Sequence, residues 1–375
     1  MYDGPAAASE VLRIAGTGLA AEAEPVTVAP GRWPIVLSGL DFHRLTGIAV
    51  AAFEDGRLEL ADEQVDELLV HHRSAMVLAL SIERRLLRLV GAFDAAGVRA
   101  VVLKGTAVAH GVYADPSMRP FGDLDLLVPR SGWRTACEVL RAEGYRRDLP
   151  EPRPGFDERF GKAATHSDAE GVQVDLHRTL VLGPFGLWLD PDELLESTEV
   201  FELAGRRLER LDRTGLLLNA ALHAGLGAAT PLLLPLRDVA EAAGHPGVDW
   251  DRFAGWSVRW RLGPALARAF AVAERSLGWP PPPPAREIAG RTVGRAERRA
   301  IRAYTERRRI GGMALAATRA IPGVRAKILY LYGLLLPSRE FLRARGRPSY
   351  LARWRVPAGW LRRALRHRRP TLNDR

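Results

Sequence analysis

Asp123 and Asp125 stand two residues apart in the run Gly122-Asp123-Leu124-Asp125-Leu126-Leu127-Val128. In an extended strand the side chains alternate, so both carboxylates point to one face while Leu124 and Leu126 point to the other. Upstream, the β-branched run Val98 to Leu103 stops at Lys104-Gly105-Thr106, placing a glycine and a hydroxyl where a strand hands over to a helix N-terminus. Backbone N–H groups in such a turn favour an anion. Two carboxylates on one face suit a hard divalent cation better than a hydrophobic core. Magnesium takes one or two carboxylates plus phosphate oxygens, so the pair beside an anion-binding turn predicts a metal-bound nucleoside triphosphate. A third carboxylate enters with Val172-Gln173-Val174-Asp175-Leu176-His177, where Asp175 and His177 share a strand face.

These residue types support one reaction in outline. Asp123 and Asp125 would hold two Mg²⁺ ions, one on the triphosphate and one lowering the pKa of an acceptor hydroxyl. Asp175 would complete the second metal site or take the acceptor proton. Gly105 and Thr106 would cradle the phosphates, and Lys104 or Arg119 would offset charge on departing pyrophosphate. His177 is expected to orient Asp175 or the substrate, because magnesium prefers oxygen. Lys104 reads equally as a solvated strand end. Mutual repulsion between Asp123 and Asp125 predicts that removing either leaves stability unchanged or higher. The acceptor stays open between a small-molecule alcohol, a peptide or protein hydroxyl and a tRNA end, and so does the nucleotide.

The elements that must position these groups are legible from hydrophobic periodicity. Asp62 to Ala96 carries apolar residues at Val65, Leu68, Leu69, Met76, Leu80, Leu86, Leu89, Val90 and Phe93, a helical stripe closed by Gly97. A weaker helical pattern runs from Phe42 to Phe53, and Ser131 is placed to cap a helix ending at Glu143, with Cys137 on its apolar face. Phe160 to His166 and Val172 to His177 flank a turn, and a hairpin is predicted over Val200 to Leu211. From Asp212, whose side chain can cap Thr214 to Leu226, the chain reads as helices over Leu232 to Ala243, Trp250 to Trp260, Pro264 to Leu277, Arg298 to Arg309 and Val324 to Leu336. The five prolines Pro280 to Pro284 predict a stiff, non-helical connector. The fold class is therefore α+β: a flexible leader over 1–33, a helical region over 34–97, a small mixed-sheet core over 98–211, a mainly helical part over 212–338 and an arginine-rich tail over 339–375. His223, Arg237 and Asp238 are expected as helix-surface or helix-packing residues.

Composition bounds the class. A chain of 375 residues with 47% apolar and 26% charged content is an ordinary globular protein with ample core. A lone cysteine, Cys137, makes no internal disulfide, which points to the reducing cytoplasm. The broken Ala/Gly-rich start is unlike a signal peptide, and Ile328 to Pro337 is about half a transmembrane length. Arginine supplies 51 of 54 basic residues. Residues 339–375 hold 12 arginines against Glu340 and Asp374, a net of +10 that equals the excess of the whole chain. That tail could bind nucleic-acid phosphates, lie on an anionic membrane with Trp354, Trp360, Leu361 and Leu365, or be a solvated helix end.

The order Leu103-Lys104-Gly105, Arg119, Asp123-Leu124-Asp125-Leu126-Leu127-Val128, then Asp175-Leu176-His177 before a helical half, resembles the nucleotidyltransferase superfamily of DNA polymerase β-like folds. More closely it resembles the bacterial group labelled uncharacterised nucleotidyltransferases, over roughly residues 40 to 350. The resemblance implies a metal-dependent transfer of nucleoside monophosphate from an NTP, and it is what assigns Arg119 to the triphosphate. In one respect the chain departs from the superfamily, whose Gly-Ser or Gly-Gly turn lies close to the first aspartate. Here 16 residues, Ala107 to Gly122, intervene. A second reading is a catalytically inactive scaffold of the same fold that binds an acidic partner through its basic C-terminal region.

Overall fold

Asp62–Ala95 is one helix of 34 residues, about 51 Å long at ~1.5 Å per residue. Its inward face is Leu68, Ala79, Ile82, Leu86, Leu89, Val90 and Phe93, whereas Leu80, expected in the stripe, is exposed because Ala79 and Ile82 turn inward instead. Gly97 takes a left-handed φ of 69°, which a glycine adopts without penalty, and turns the chain into the first central strand. This architecture comes from a computed structural model that describes residues 8–20, 24–227, 232–305, 310–346 and 350. The tail residues Leu351, Trp354, Trp360, Leu361 and Leu365 lie outside the described residues, as do 306–309 of the basic helix.

Nine strands are described. β1 (Val26–Thr27) and β2 (Leu58–Glu59) form a small parallel pair. The main sheet comprises β3 (Val101–Leu103), β4 (Asp123–Leu127), β5 (Arg146–Arg147), β6 (Ala163–Ser167), β7 (Gln173–His177), β8 (Thr198–Leu203) and β9 (Arg206–Leu211), in the order β5-β6-β7-β4-β3-β9-β8. It is mixed: β4 runs parallel to β7 and antiparallel to β3, and β3 runs parallel to β9. The chain is therefore α+β, with helices before, between and after the strands. Behind the sheet, the Arg213–Leu226 helix is buried along almost its whole length and packs against the Lys104–Val112, Leu233–Gly244 and Gly263–Leu277 helices. Asp212 opens it by accepting from the Gly215 N–H at 2.9 Å. Among the described residues no single helix is long and apolar enough to cross a membrane.

Four expectations need correction. The leader is not structureless: Ser9–Gly16 is a helix whose Val11, Ile14 and Ala15 are buried, and Arg237 Nη1 donates to the Ala15 and Thr17 carbonyls at 3.0 and 2.6 Å. Three apolar residues at helical spacing suffice because the Leu233–Gly244 and Gly263–Leu277 helices supply the covering surface. The pattern at Phe42 to Phe53 resolves into two helices, Trp33–His43 and Thr46–Glu54, bent by 119° at Arg44, which sits at φ 59°. Ser131 does not cap; it lies in a 3₁₀ turn, Arg130–Gly132, that leads into the Trp133–Ala142 helix without a side-chain cap. Finally, Pro283 and Pro284 do not exclude a helix but begin one, Pro283–Ala289, where first-turn N–H groups have no intrahelical partner to lose. Cys137 is half-buried against the core, and burial pushes its thiol up to about 11.

Because Ile14 is completely buried between the N-terminal helix and the C-terminal half, Ile14→Ala should cost about 2–5 kcal/mol by the usual cavity arithmetic. Chemical denaturation measures this, and a change below about 0.5 kcal/mol would mean that the leader does not pack as described.

Candidate active site

Strand register brings the acidic residues together. Asp125 of β4 is directly paired with Asp175 of β7, Leu103 of β3 with Asp125, and Thr165 of β6 with Asp175. Alternation then puts Asp123, Asp125, Asp175 and His177 on one face, while Leu124, Leu126, Val174 and Leu176 are buried on the other. The apolar face anchors the strands, so the polar face can carry like charges without the sheet coming apart.

Asp125 is the most enclosed of the three acids, and two groups converge on its Oδ1. Lys104 Nζ donates to it in a tight ion pair, and His177 Nε2 lies 2.7 Å away. Burial alone would raise the Asp125 carboxyl, but the Lys104 ammonium and His177 overcome it and hold the group far below the usual carboxylate range. Asp123 is shifted the other way, raised by burial and by repulsion from Asp125, with Lys104 and Arg44 opposing. Asp175 accepts from Thr165 Oγ1 at 2.6 Å. His177 is held down by burial and by Lys104, so its imidazole is neutral, and its Nδ1 faces the Thr179 carbonyl at 3.1 Å. A ring proton on Nε2 is donated to Asp125 Oδ1, whereas one on Nδ1, donated to the Thr179 carbonyl, leaves the Nε2 lone pair for a cation beside Asp125. One ligand atom each from Asp125, Asp175 and His177 lies within 4.8 Å of the others, so this Asp-Asp-His cluster has the chemistry and spacing to hold a metal ion. Asp123 is a neighbour of the cluster and not a member of it.

Where β3 ends, Lys104 has a left-handed φ of 41°, unusual for a side-chain-bearing residue, and the helix that follows is broken at Gly105. That backbone turns the lysine onto Asp125 rather than outward, so it is no solvated strand end. Thr106 Oγ1 is buried and has no hydrogen-bond partner among the described residues. A buried hydroxyl without a partner, two residues past Lys104, is a group that a polar ligand could satisfy.

A profile of the uncharacterised nucleotidyltransferase family matches residues 30–278, two-thirds of the chain. The chain belongs to this family. No curated protein matches it. Among solved structures, the chain is similar to an antigenic nucleotidyltransferase-like protein from Paracoccidioides brasiliensis, at 13% identity and a TM-score of 0.30, over 55% of this chain and 92% of that one.

Within this member of the family, the residues singled out from sequence separate into two groups. Lys104, Gly105, Thr106, Asp123, Asp125, Asp175 and His177 meet at the ends of β3, β4 and β7. Arg119 lies within electrostatic reach of Asp123 and His223, but its guanidinium is committed to another carboxylate. It is buried, with Nε and Nη2 donating to Asp238 Oδ1 and Oδ2 at 3.0 and 2.8 Å, and Tyr113 Oη adds a third bond to Asp238 at 2.8 Å. The fork expected to grip a triphosphate thus ties the loop before β4 to the Leu233–Gly244 helix. Asp238 and Arg237 are packing residues as expected, although with separate partners, since Arg237 pairs with Glu241 at 2.8 Å.

One residue near the cluster, Lys162, was missed, and another, His223, was assigned to helix packing. Lys162, just before β6, is depressed by burial and by Lys104, and it is drawn toward Asp125, Asp175 and Asp123. His223 feels Lys104, Asp125, Lys162 and Arg119, and burial with the Lys104 charge pushes it down to about 3. One helical turn before it, Asn219 Nδ2 is a buried donor without a partner among the described residues. A signal for Lys162 was present: the chain has only three lysines, Lys104, Lys162 and Lys327, and two of them stand at this cluster.

The two shifts split the expectation that losing either β4 carboxylate is harmless. A raised carboxyl pKa means that ionisation of Asp123 works against the fold, so Asp123→Asn should raise the melting temperature at pH 7. A depressed pKa means that Asp125 contributes stability above its unfolded pKa near 4 and loses it only in strong acid. Asp125→Asn, leaving the part-buried Lys104 without its counter-ion, should cost about 3 kcal/mol. Asp238→Ala should cost a similar ~3–5 kcal/mol by stranding Arg119. Thermal melts of the three variants check the signs; equal shifts for Asp123 and Asp125 would show that Lys104 is not the counter-ion.

Proposed function

We propose that the protein transfers a nucleoside monophosphate from an NTP to a hydroxyl acceptor with release of pyrophosphate. The observation that carries this reading is the convergence of Asp125, Asp175 and His177 with Asp123 beside them, next to the unpartnered Thr106 hydroxyl and two lysines. In balanced form, the acceptor oxygen bonds to the α-phosphorus, the bond from that phosphorus to the α,β-bridging oxygen breaks, and the electron pair leaves with pyrophosphate. The acceptor proton passes to Asp175, whose second oxygen is free of Thr165.

A divalent cation held by Asp125, Asp175 and His177, with Asp123 as neighbour, would neutralise triphosphate charge and acidify the acceptor hydroxyl. The carboxylates fit magnesium, and the imidazole in the set fits manganese at least as well. The rest falls to the chain itself. The Gly105-Thr106 turn offers N–H and hydroxyl donors to phosphate oxygens. Lys162, which has no ion pair within 4 Å among the described residues, offers the charge that Arg119 does not.

Lys104 on Asp125 favours a second reading, in which the internal cation permanently substitutes for a metal and the fold serves as a non-catalytic scaffold. One assay separates the two. Each α-labelled NTP is incubated with the protein and either Mg²⁺ or Mn²⁺, pyrophosphate is followed, and candidate acceptor fractions are examined for label. The catalytic reading expects turnover that drops by about 10³-fold or more in Asp175→Asn. It also expects Lys162→Met to weaken NTP binding about tenfold, the loss of one charge-assisted contact. Absence of turnover with every nucleotide and metal, together with absent NTP binding, would leave the scaffold.

A further inference from the structure

The Val324–Leu335 helix turns an apolar face to solvent. Val324, Ile328, Leu331 and Leu335 follow one another at four-, three- and four-residue steps and are 73%, 61%, 38% and 44% exposed. Leu336, next to them, is 46% exposed. The opposite side of the same helix is fixed to the body. Tyr330 stacks on Phe156 with ring centroids 5.7 Å apart, and Gly333 packs so closely that a Cβ there would lie 2.3 Å from the Phe156 ring. Just beyond, Arg153 Nε donates to the Leu336 carbonyl at 2.6 Å and the Ser338 N–H to the Pro152 carbonyl at 2.7 Å. The apolar face therefore cannot roll inward.

Charge identifies what it meets. Between Glu306 and Glu340 the sequence contains no acidic residue, while Arg325, Lys327 and Arg339 lie on or beside the helix. From Arg339 onward the chain adds 12 arginines against two acids. We propose that this helix docks apolar face first on an anionic lipid bilayer, lying in the plane of the headgroups, with the following arginines held to the lipid charge. Twelve residues give a length of about 18 Å, too short to span and long enough to lie flat. Nucleic acid would use the arginines but gains nothing from burying Val324, Ile328 and Leu331. A second copy would bring two strongly cationic segments face to face.

The test uses the full chain in flotation with vesicles of phosphatidylcholine alone or mixed equally with phosphatidylglycerol. Binding is expected to the mixed vesicles only. The pair Ile328→Asp and Leu331→Asp should weaken it by roughly tenfold or more, the loss of two buried aliphatic side chains. Val324→Ser, at the most exposed position, should weaken it severalfold with an unchanged melting temperature, and so decides the matter if the double variant unfolds. Replacing Arg353, Arg355, Arg362 and Arg363 by Gln should remove most of the salt-sensitive part of the binding. No binding to the mixed vesicles, or binding indifferent to Val324→Ser and to the double variant, would overturn the proposal. So would a single-stranded RNA bound more tightly than the vesicles and unaffected by the apolar substitutions.

Discussion

A carboxylate buried in the middle of a sheet must find a positive partner, and the fold around Asp125 is arranged to supply one. Leaving such a group uncompensated costs several kcal/mol, so β4 could not sit between β3 and β7 with its polar face covered unless a cation reached Oδ1. Lys104 does so from the last turn of β3, and only because its backbone takes a left-handed φ of 41°. His177 reaches the same oxygen from β7. The strand order, the strained turn and the long helix that delivers β3 into place all serve this one pairing.

Once Asp125 is neutralised, its neighbours acquire distinct characters. Asp123 receives less compensation and is raised, Asp175 is tied at one oxygen by Thr165, and the Thr106 hydroxyl has no partner. On the proposed function, one satisfied acid, one unsatisfied acid, one half-satisfied acid and an unpartnered hydroxyl would meet a ligand bringing both cationic and anionic parts. A metal-bound triphosphate is such a ligand.

Much of this was legible in the sequence because strands impose a rigid alternation. Asp123 with Asp125, and Asp175 with His177, could be assigned to faces from spacing alone, and the glycine after the Asp62–Ala95 helix marked the handover to β3. What spacing cannot give is which strands become neighbours: that Asp125 and Asp175 share a register depends on β4 lying beside β7. For the same reason Arg119 was misplaced. Its partner Asp238 is 119 residues away, and the ion pair arises only when the Leu233–Gly244 helix packs over the loop before β4. The buried N-terminal helix was obscured similarly, since Val11, Ile14 and Ala15 look sparse until the surface that covers them is known.

The distribution of lysine and arginine follows the same division between fixed and exchangeable partners. Arginine presents a rigid planar fork that suits a permanent bidentate carboxylate, whereas lysine is a point charge on a flexible stem that can change partners. In this chain the long-range structural pairs include several made by arginine: Arg119 to Asp238, Arg99 to Glu209, and Arg85 to Asp168 and Glu170 together. The two cations at the carboxylate cluster are lysines, in a sequence that uses only three. Lys104 is the one whose partner must be shared if a metal ion and a triphosphate are to enter, because the oxygen it holds belongs to the same ligand set. A lysine can give up Asp125 for a phosphate oxygen by rotating about its side-chain bonds, with the backbone left in place. An arginine fork at position 104 would hold the carboxylate through two bonds and keep it from any other cation. The choice of lysine therefore fits a pairing that can be exchanged for another partner.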